Sequence, residues 1–231
     1  SFNISSHSGG VLTMRCVSAG GCEFSPNNRA TGVDGLIIDG MKVTGGSNGL
    51  YIRGKNIKVQ NSTFSAQDSA GLTVIPGSRS DNIQVYNNVF SSTKTGCQYN
   101  TSNCSGQLSD GTPVAYMDYG LRVHDTNNIE IKGNKFSTMF NHGISIKYNV
   151  TTSLIEGNTF SGCGRNCIDV GQETPASNLT TISSNAFSGN WTYAVAIRYM
   201  RRTVITGNSF AGNGRPNVRQ FVNYGTVSGQ K

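Results

Sequence analysis

Tyr119, Arg122, His124 and Asp125 fall within the short stretch YGLRVHD, where Leu121 and Val123 alternate with Arg122 and His124. Alternation at a period of two is that of a β-strand with one apolar and one polar face. A histidine can take a proton, a tyrosine can give one, and an arginine can neutralise a carboxylate. A face that carries all three fits acid–base chemistry on an anionic substrate. The chain has only three histidines, and a second one, His142, opens a similar segment, HGISIKY, that also holds Lys147 and Tyr148.

That similarity extends along the chain. GLYIRGKNIKVQNSTFS from Gly49 and GLTVIPGSRSDNIQVYNNVFS from Gly71 align with GLRVHDTNNIEIKGNKFS from Gly120 and GISIKYNVTTSLIEGNTFS from Gly143. CIDVGQETPASNLTTISSNAFS from Cys167 and AVAIRYMRRTVITGNSFA from Ala194 complete the set. Each unit is a short alternating strand, a turn, a second alternating strand and a phenylalanine: Phe64, Phe90, Phe136, Phe160, Phe187 and Phe210. Most recur roughly two dozen residues apart, and a unit so small cannot bury its own apolar face, whereas a stack of units can. The expected fold is all-β: a right-handed parallel β-helix, a solenoid, forming one domain over residues 1–231. GLIIDGMKV from Gly35 reads as an earlier coil and NVRQFVNYGTV from Asn217 as a degenerate last one. A long insertion at about 92–118 interrupts the regular spacing and is a candidate wall of a binding cleft.

In such a stack, equivalent residues form columns about 4.8 Å apart. The third residue of each first strand gives the outward column Tyr51, Thr73, Arg122, Ser145, Asp169, Ala196. The fifth gives Arg53, Ile75, His124, Lys147, Gly171, Arg198, and the residue after it Gly54, Pro76, Asp125, Tyr148, Gln172, Tyr199. Tyr119 and His142 both stand just before their strands. Tyr119, His124, His142 and Lys147 are therefore the candidate catalytic residues. Arg122, Tyr148, Asp169, Arg198, Tyr199, Arg53 and Asp125 are the candidate substrate-binding residues around them. Glycoside hydrolysis normally wants two carboxylates across the scissile bond, and this face offers only Asp125 and Asp169, with Asp118 and Glu173 at its margins. β-Elimination of a polyuronate suits it better: a cation neutralises the sugar carboxylate, a base takes the C5 proton, and an acid protonates the departing 4-oxygen.

The net charge of +7 points to a polyanionic partner. No basic helix, zinc-finger spacing or RNA-recognition motif is present, so an acidic polysaccharide is expected rather than nucleic acid. No apolar run approaches the ~20 residues needed to cross a bilayer, and no membrane partner is expected. Six cysteines form three close pairs, Cys16 with Cys22, Cys97 with Cys104 and Cys163 with Cys167, whose spacing suits local disulfides better than zinc. With sequons beginning at Asn3, Asn61, Asn100, Asn103, Asn149, Asn178 and Asn190, they favour a secreted, extracellular glycoprotein. The opening residues show no charged and apolar leader, so any signal peptide is expected to have been removed or never to have existed. No cofactor or metal is expected, the acidic residues being too sparse for a dedicated calcium site, and the protein is expected to be a monomer.

YGLRVHD is similar to the Tyr-Gly-Phe-Asp-Pro-His-Glu/Asp motif of mannuronan C5-epimerases, which are parallel β-helices acting on alginate. The resemblance implies catalytic roles for Tyr119 and His124; Arg122 and Val123 stand where that family has aspartate and proline. GISIKYNVTTSLIEGNTF resembles the lysine-bearing coil of β-helical alginate and chondroitin lyases, which implies Lys147 as a base. Asp169 and Gly171 stand in the strand where those lyases carry an arginine. The expected function is a secreted polysaccharide lyase cleaving a uronate-containing polysaccharide, alginate first, by β-elimination. A mannuronan C5-epimerase-like enzyme and a non-catalytic glycan-binding β-helix are the alternatives.

Overall fold

The computed structural model describes residues 3–4, 12–17, 21–26, 33–45, 48–67, 69–74, 80–92, 117–171, 179–190, 192–198, 202–213 and 218–220. Cys97, Cys104, Tyr199 and nearly all of the insertion lie outside them. The chain winds through three parallel sheets, most coils giving one strand to each. The first sheet carries the candidate site and stacks Asn48–Ile52, Ala70–Val74, Tyr119–His124, His142–Lys147, Ile168–Gly171 and Val195–Arg198 in that order. The second runs from Asn3–Ile4 through Ile37–Asp39 and Gly54–Gln60 to Arg202–Thr206, and the third from Lys42–Thr44 to Ser209–Ala211. The early coil expected from Gly35 supplies Ile37–Asp39 and Lys42–Thr44 to the second and third sheets. Val218–Gln220 extends the first sheet beside Val195–Ile197, as the degenerate last coil. At the other end, Leu12–Val17 and Gly21–Pro26 form an antiparallel pair in which Cys16 is registered against Cys22.

The interior is a ladder of aliphatic residues from the inward positions of each strand, such as Leu121, Val123, Ile144, Ile146, Ile168 and Val170, all fully buried. Six phenylalanines stack along the third sheet from Phe64 to Phe210, with ring centroids 4.8–5.2 Å apart and near-parallel planes. The glycine that opens several first strands is dictated by this stack. A Cβ on Gly120 would lie 2.5 Å from Phe136 Cδ1 and 2.8 Å from the Gly143 carbonyl oxygen.

Two further columns explain the Asn- and Gly-rich composition. The chain turns from second to third sheet through a single left-handed residue: Asn61, Asn87, Gly133, Gly157, Ser184 and Gly207 all have φ between 52° and 65°. Glycine and asparagine adopt this conformation most readily. The next residue is Ser62 at the first of these turns and Asn88, Asn134, Asn158, Asn185 or Asn208 at the others. Each of these amides donates to a backbone carbonyl of the coil before, as Asn134 Nδ2 does to Val85 O at 2.8 Å. Each side-chain oxygen accepts from the backbone N–H one rung earlier. The ladder satisfies backbone groups that a tight buried corner would otherwise strand. Asn190 belongs to a similar corner: it is buried, accepts from Cys163 N and donates to Asn213. Its amide is thus a rung of the frame rather than an exposed sequon.

Candidate active site

The first sheet sets the site in register. His124 pairs with Lys147, Lys147 with Gly171, and Gly171 with Arg198. Beside that row, Arg122 pairs with Ser145, Ser145 with Asp169, and Asp169 with Ala196. The alternating neighbours are core residues, so both rows project away from the interior. Thr73, Ser145 and Asp169 in the inner row are nevertheless buried. Outward-pointing side chains become buried only where longer neighbours cover them, so the face is recessed rather than flat.

The candidates resolve into two clusters joined by Arg122. The first lies at the start of the strands. His142 is 1 % exposed, and its ring lies 5.7 Å from that of Tyr119. Its Nδ1 is 3.0 Å from the Asn166 carbonyl oxygen, and its Nε2 is 3.8 Å from Asp169 Oδ2. Asp169, also 1 % exposed, accepts from Arg198 Nη2 at 3.2 Å and from Asn166 Nδ2 at 3.3 Å through Oδ1. Burial pushes the His142 imidazole down to about 4, against the opposing pull of the Asp169 carboxylate and the Asn166 bond. Burial likewise raises Tyr119, keeping its phenol protonated, while Arg122, 4.8 Å from its ring, works against that shift. The hydroxyl of Tyr119 accepts a long contact, 3.5 Å, from Asn141 Nδ2.

The second cluster lies at the end of the same strands. His124 is 7 % exposed, its ring is 5.1 Å from that of Tyr148, and its Nδ1 makes no hydrogen bond among the described residues. Burial and the neighbouring charges of Arg122 and Lys147 push its imidazole down to about 4, with Asp125 pulling the other way. At neutral pH this ring is an uncharged acceptor beside two cations. Tyr148 is 41 % exposed, one of two large apolar or aromatic side chains so exposed among the described residues. It holds φ at 55°, and Asp125, its counterpart one coil earlier, holds 47°. Left-handed backbone at a bulky non-glycine residue costs of order 1–3 kcal/mol, and it recurs at other positions of the coils, as at Ala66, Thr138 and Ser184. Asp125 is fixed by Asn149 Nδ2 at 2.9 Å.

Arg53 follows the strand Asn48–Ile52, two coils before His124, and is half-buried. Cys163 and Cys167 form a disulfide with their Cα atoms 5.4 Å apart, within the usual span. The short loop that it closes supplies Arg165, which sequence reasoning missed, and Asn166, which aligns with Tyr119 and His142 in the sequence but was not singled out. Asp118, expected at the margin of the face, joins the first cluster: its carbonyl oxygen receives the N–H of both Asn141 and His142, and burial raises its carboxyl. The C-G-R-N-C spacing is the one sequence signal for that loop, and it points to the cysteines rather than to the residues between them. Among the described residues no three His, Cys, Asp or Glu side chains are grouped as metal ligands.

Residues 114–228 match the family model described as right handed beta helix region. No curated protein and no solved structure matches the chain. That match spans both clusters, and with the three stacked parallel sheets it makes this chain, by fold, a right-handed parallel β-helix, an architecture compatible with action on polysaccharides.

Proposed function

We propose that the protein is a secreted polysaccharide lyase that cleaves a uronate-containing polysaccharide, alginate first, by β-elimination. The observation that carries the reading is the second cluster: an uncharged, unanchored His124 packed against Tyr148 and flanked by Arg122 and Lys147. Arg122 and Lys147 neutralise the sugar carboxylate, which makes the C5 proton acidic. His124 takes that proton, and the electron pair forms the C4–C5 double bond as the C4–O4 bond breaks. The leaving oxygen takes its proton from Tyr148, and the proton on His124 then restores the phenol. In this reading Tyr119 and His142 stiffen the wall against which Arg122 rests.

The test is the ultraviolet absorbance of unsaturated uronate on mixing the protein with alginate, pectate, glucuronan and chondroitin sulfate. The expected outcome is a rise with alginate that His124→Ala abolishes. A flat trace on all four substrates overturns elimination. Proton NMR of the recovered polymer then separates C5 inversion from binding without chemistry.

A further inference from the structure

Gly171 leaves a gap in the row His124, Lys147, Gly171, Arg198, and Arg198 fills it. The position where a Cβ on Gly171 would sit is 3.6 Å from Cβ and Cδ of Arg198 and 3.8 Å from its Cγ. The arginine stem thus lies back across the bare strand of the coil before its own. Its head reaches that coil too, with Nη2 at 3.2 Å from Asp169 Oδ1. Asp169 is itself held by Asn166 Nδ2. The guanidinium is therefore drawn toward the coil before its own, and its side chain stays 32 % exposed. A planar guanidinium fork carries five N–H donors in all, so the bond to Asp169 engages a part of it.

We propose that this laid-back arm is a second carboxylate subsite, which takes the uronate next to the one being cleaved, and that Gly171 and Asp169 are its positioning residues. The inference rests on the elimination reading for the identity of the neighbouring sugar, while the arm itself rests on geometry alone. It makes the enzyme selective for runs of consecutive uronates lying across the coils, because two carboxylates one residue apart meet separate cationic groups along one row. A glycan with a neutral sugar at that place covers the cation without offering it a carboxylate, which weakens binding.

The experiment is calorimetric titration of a saturated hexamer of mannuronate into the full chain carrying His124→Ala, which prevents turnover during the measurement. Arg198→Ala is expected to raise Kd about tenfold, in line with one charge-assisted contact. Gly171→Val puts branched carbons where the stem lies, in a residue type that suits a strand. It is expected to raise Kd by a similar factor, and the double variant to be no weaker than Arg198→Ala alone. Asp169→Asn, which loosens the arm from its other end, is expected to show the same non-additivity and serves where valine prevents folding. Full additivity of either variant with Arg198→Ala overturns the proposal, as does an unchanged Kd in both Gly171→Val and Asp169→Asn. If the coupling holds but no substrate gives an absorbance rise, the subsite stands and elimination falls. If elimination is observed without coupling, the subsite falls alone.

Discussion

His124 and His142 stand on adjacent coils of one sheet, and burial brings both imidazoles down to about 4. They differ in what surrounds their nitrogens. His142 has Nδ1 against the Asn166 backbone at 3.0 Å and Nε2 facing a buried carboxylate at 3.8 Å, so it is anchored through Nδ1. His124 has an Nδ1 that makes no hydrogen bond among the described residues, an exposed tyrosine across its face, and two cations close by. The lesson is that a depressed pKa by itself does not mark a base. The same shift arises in a ring locked into the frame and in one left available, and in the proposed reaction it is the second that exchanges a proton with a bound sugar.

The largest expected effect tests that division directly. His124→Ala should lower kcat/KM by about a thousandfold, as for loss of a general base, while leaving the urea unfolding midpoint close to that of the native protein. His142→Ala should do the reverse, with turnover of the folded protein within about tenfold of native and a clearly lower midpoint. Equal losses of activity in the two variants would mean that the clusters are one centre. A second pair of variants sharpens the same contrast at smaller amplitude. Tyr148→Phe should cost about a hundredfold in kcat as the acid is lost. Tyr119→Phe, whose hydroxyl has only a long contact to Asn141, should cost tenfold or less. Steady-state kinetics on the absorbance assay reads both, and the opposite ranking would move the acid to the first cluster.

Both depressed histidines make stability pH-dependent, and the acid limb of turnover separates them. The fold favours neutral His142, whose pKa falls from the ordinary 6.5 to about 4. The unfolded chain therefore binds the proton more readily, and the stabilisation present above about pH 6.5 is lost as pH falls toward 4. A shift of this size is worth about 3 kcal/mol. Urea unfolding at pH 7, 5 and 4 should show that loss, reduced in His142→Ala because the titrating group is gone. Turnover should keep its acid limb near pH 4 in the same variant, because that limb belongs to His124. An acid limb that moves with His142 would reassign the base.

Much of this arrangement is legible in the sequence. The recurrent phenylalanines, opening glycines and paired alternating strands predict the coils, and the outer row from His124 to Arg198 pairs as the repeats align. The division of the polar face is less legible. Strand alternation says which side of a sheet a residue faces, not how far the side chain then leans. Tyr119 sits where the strand begins, and its ring turns to His142 and Arg122, while Arg198 reclines across a neighbouring coil. Asn166 falls in the column of Tyr119 and His142, just before the strands, but an asparagine there reads as one more turn residue, and Arg165 stands a residue before that column. The burial of Asp169 is equally hidden, since an outward aspartate in a repeat reads as solvated surface.

The smallest effect comes from Asn166, which supports the first cluster in two separable ways. Its backbone carbonyl and N–H face His142 Nδ1, and these survive any substitution that keeps the loop in place. Its side chain donates to Asp169 and accepts from the Thr192 hydroxyl. Asn166→Ala therefore removes only the side-chain tether, and the Asp169 oxygen that it frees still has Arg198. The expected cost is about 1 kcal/mol in unfolding free energy, the net worth of one partly buried hydrogen bond, with kcat on alginate within about threefold of native. A midpoint shift without a kinetic change would fit a first cluster that braces the sheet. A loss of turnover as deep as that of His124→Ala would instead show that the carboxylate behind His142 acts on the substrate, and the contrast between the two histidines would fail at its root.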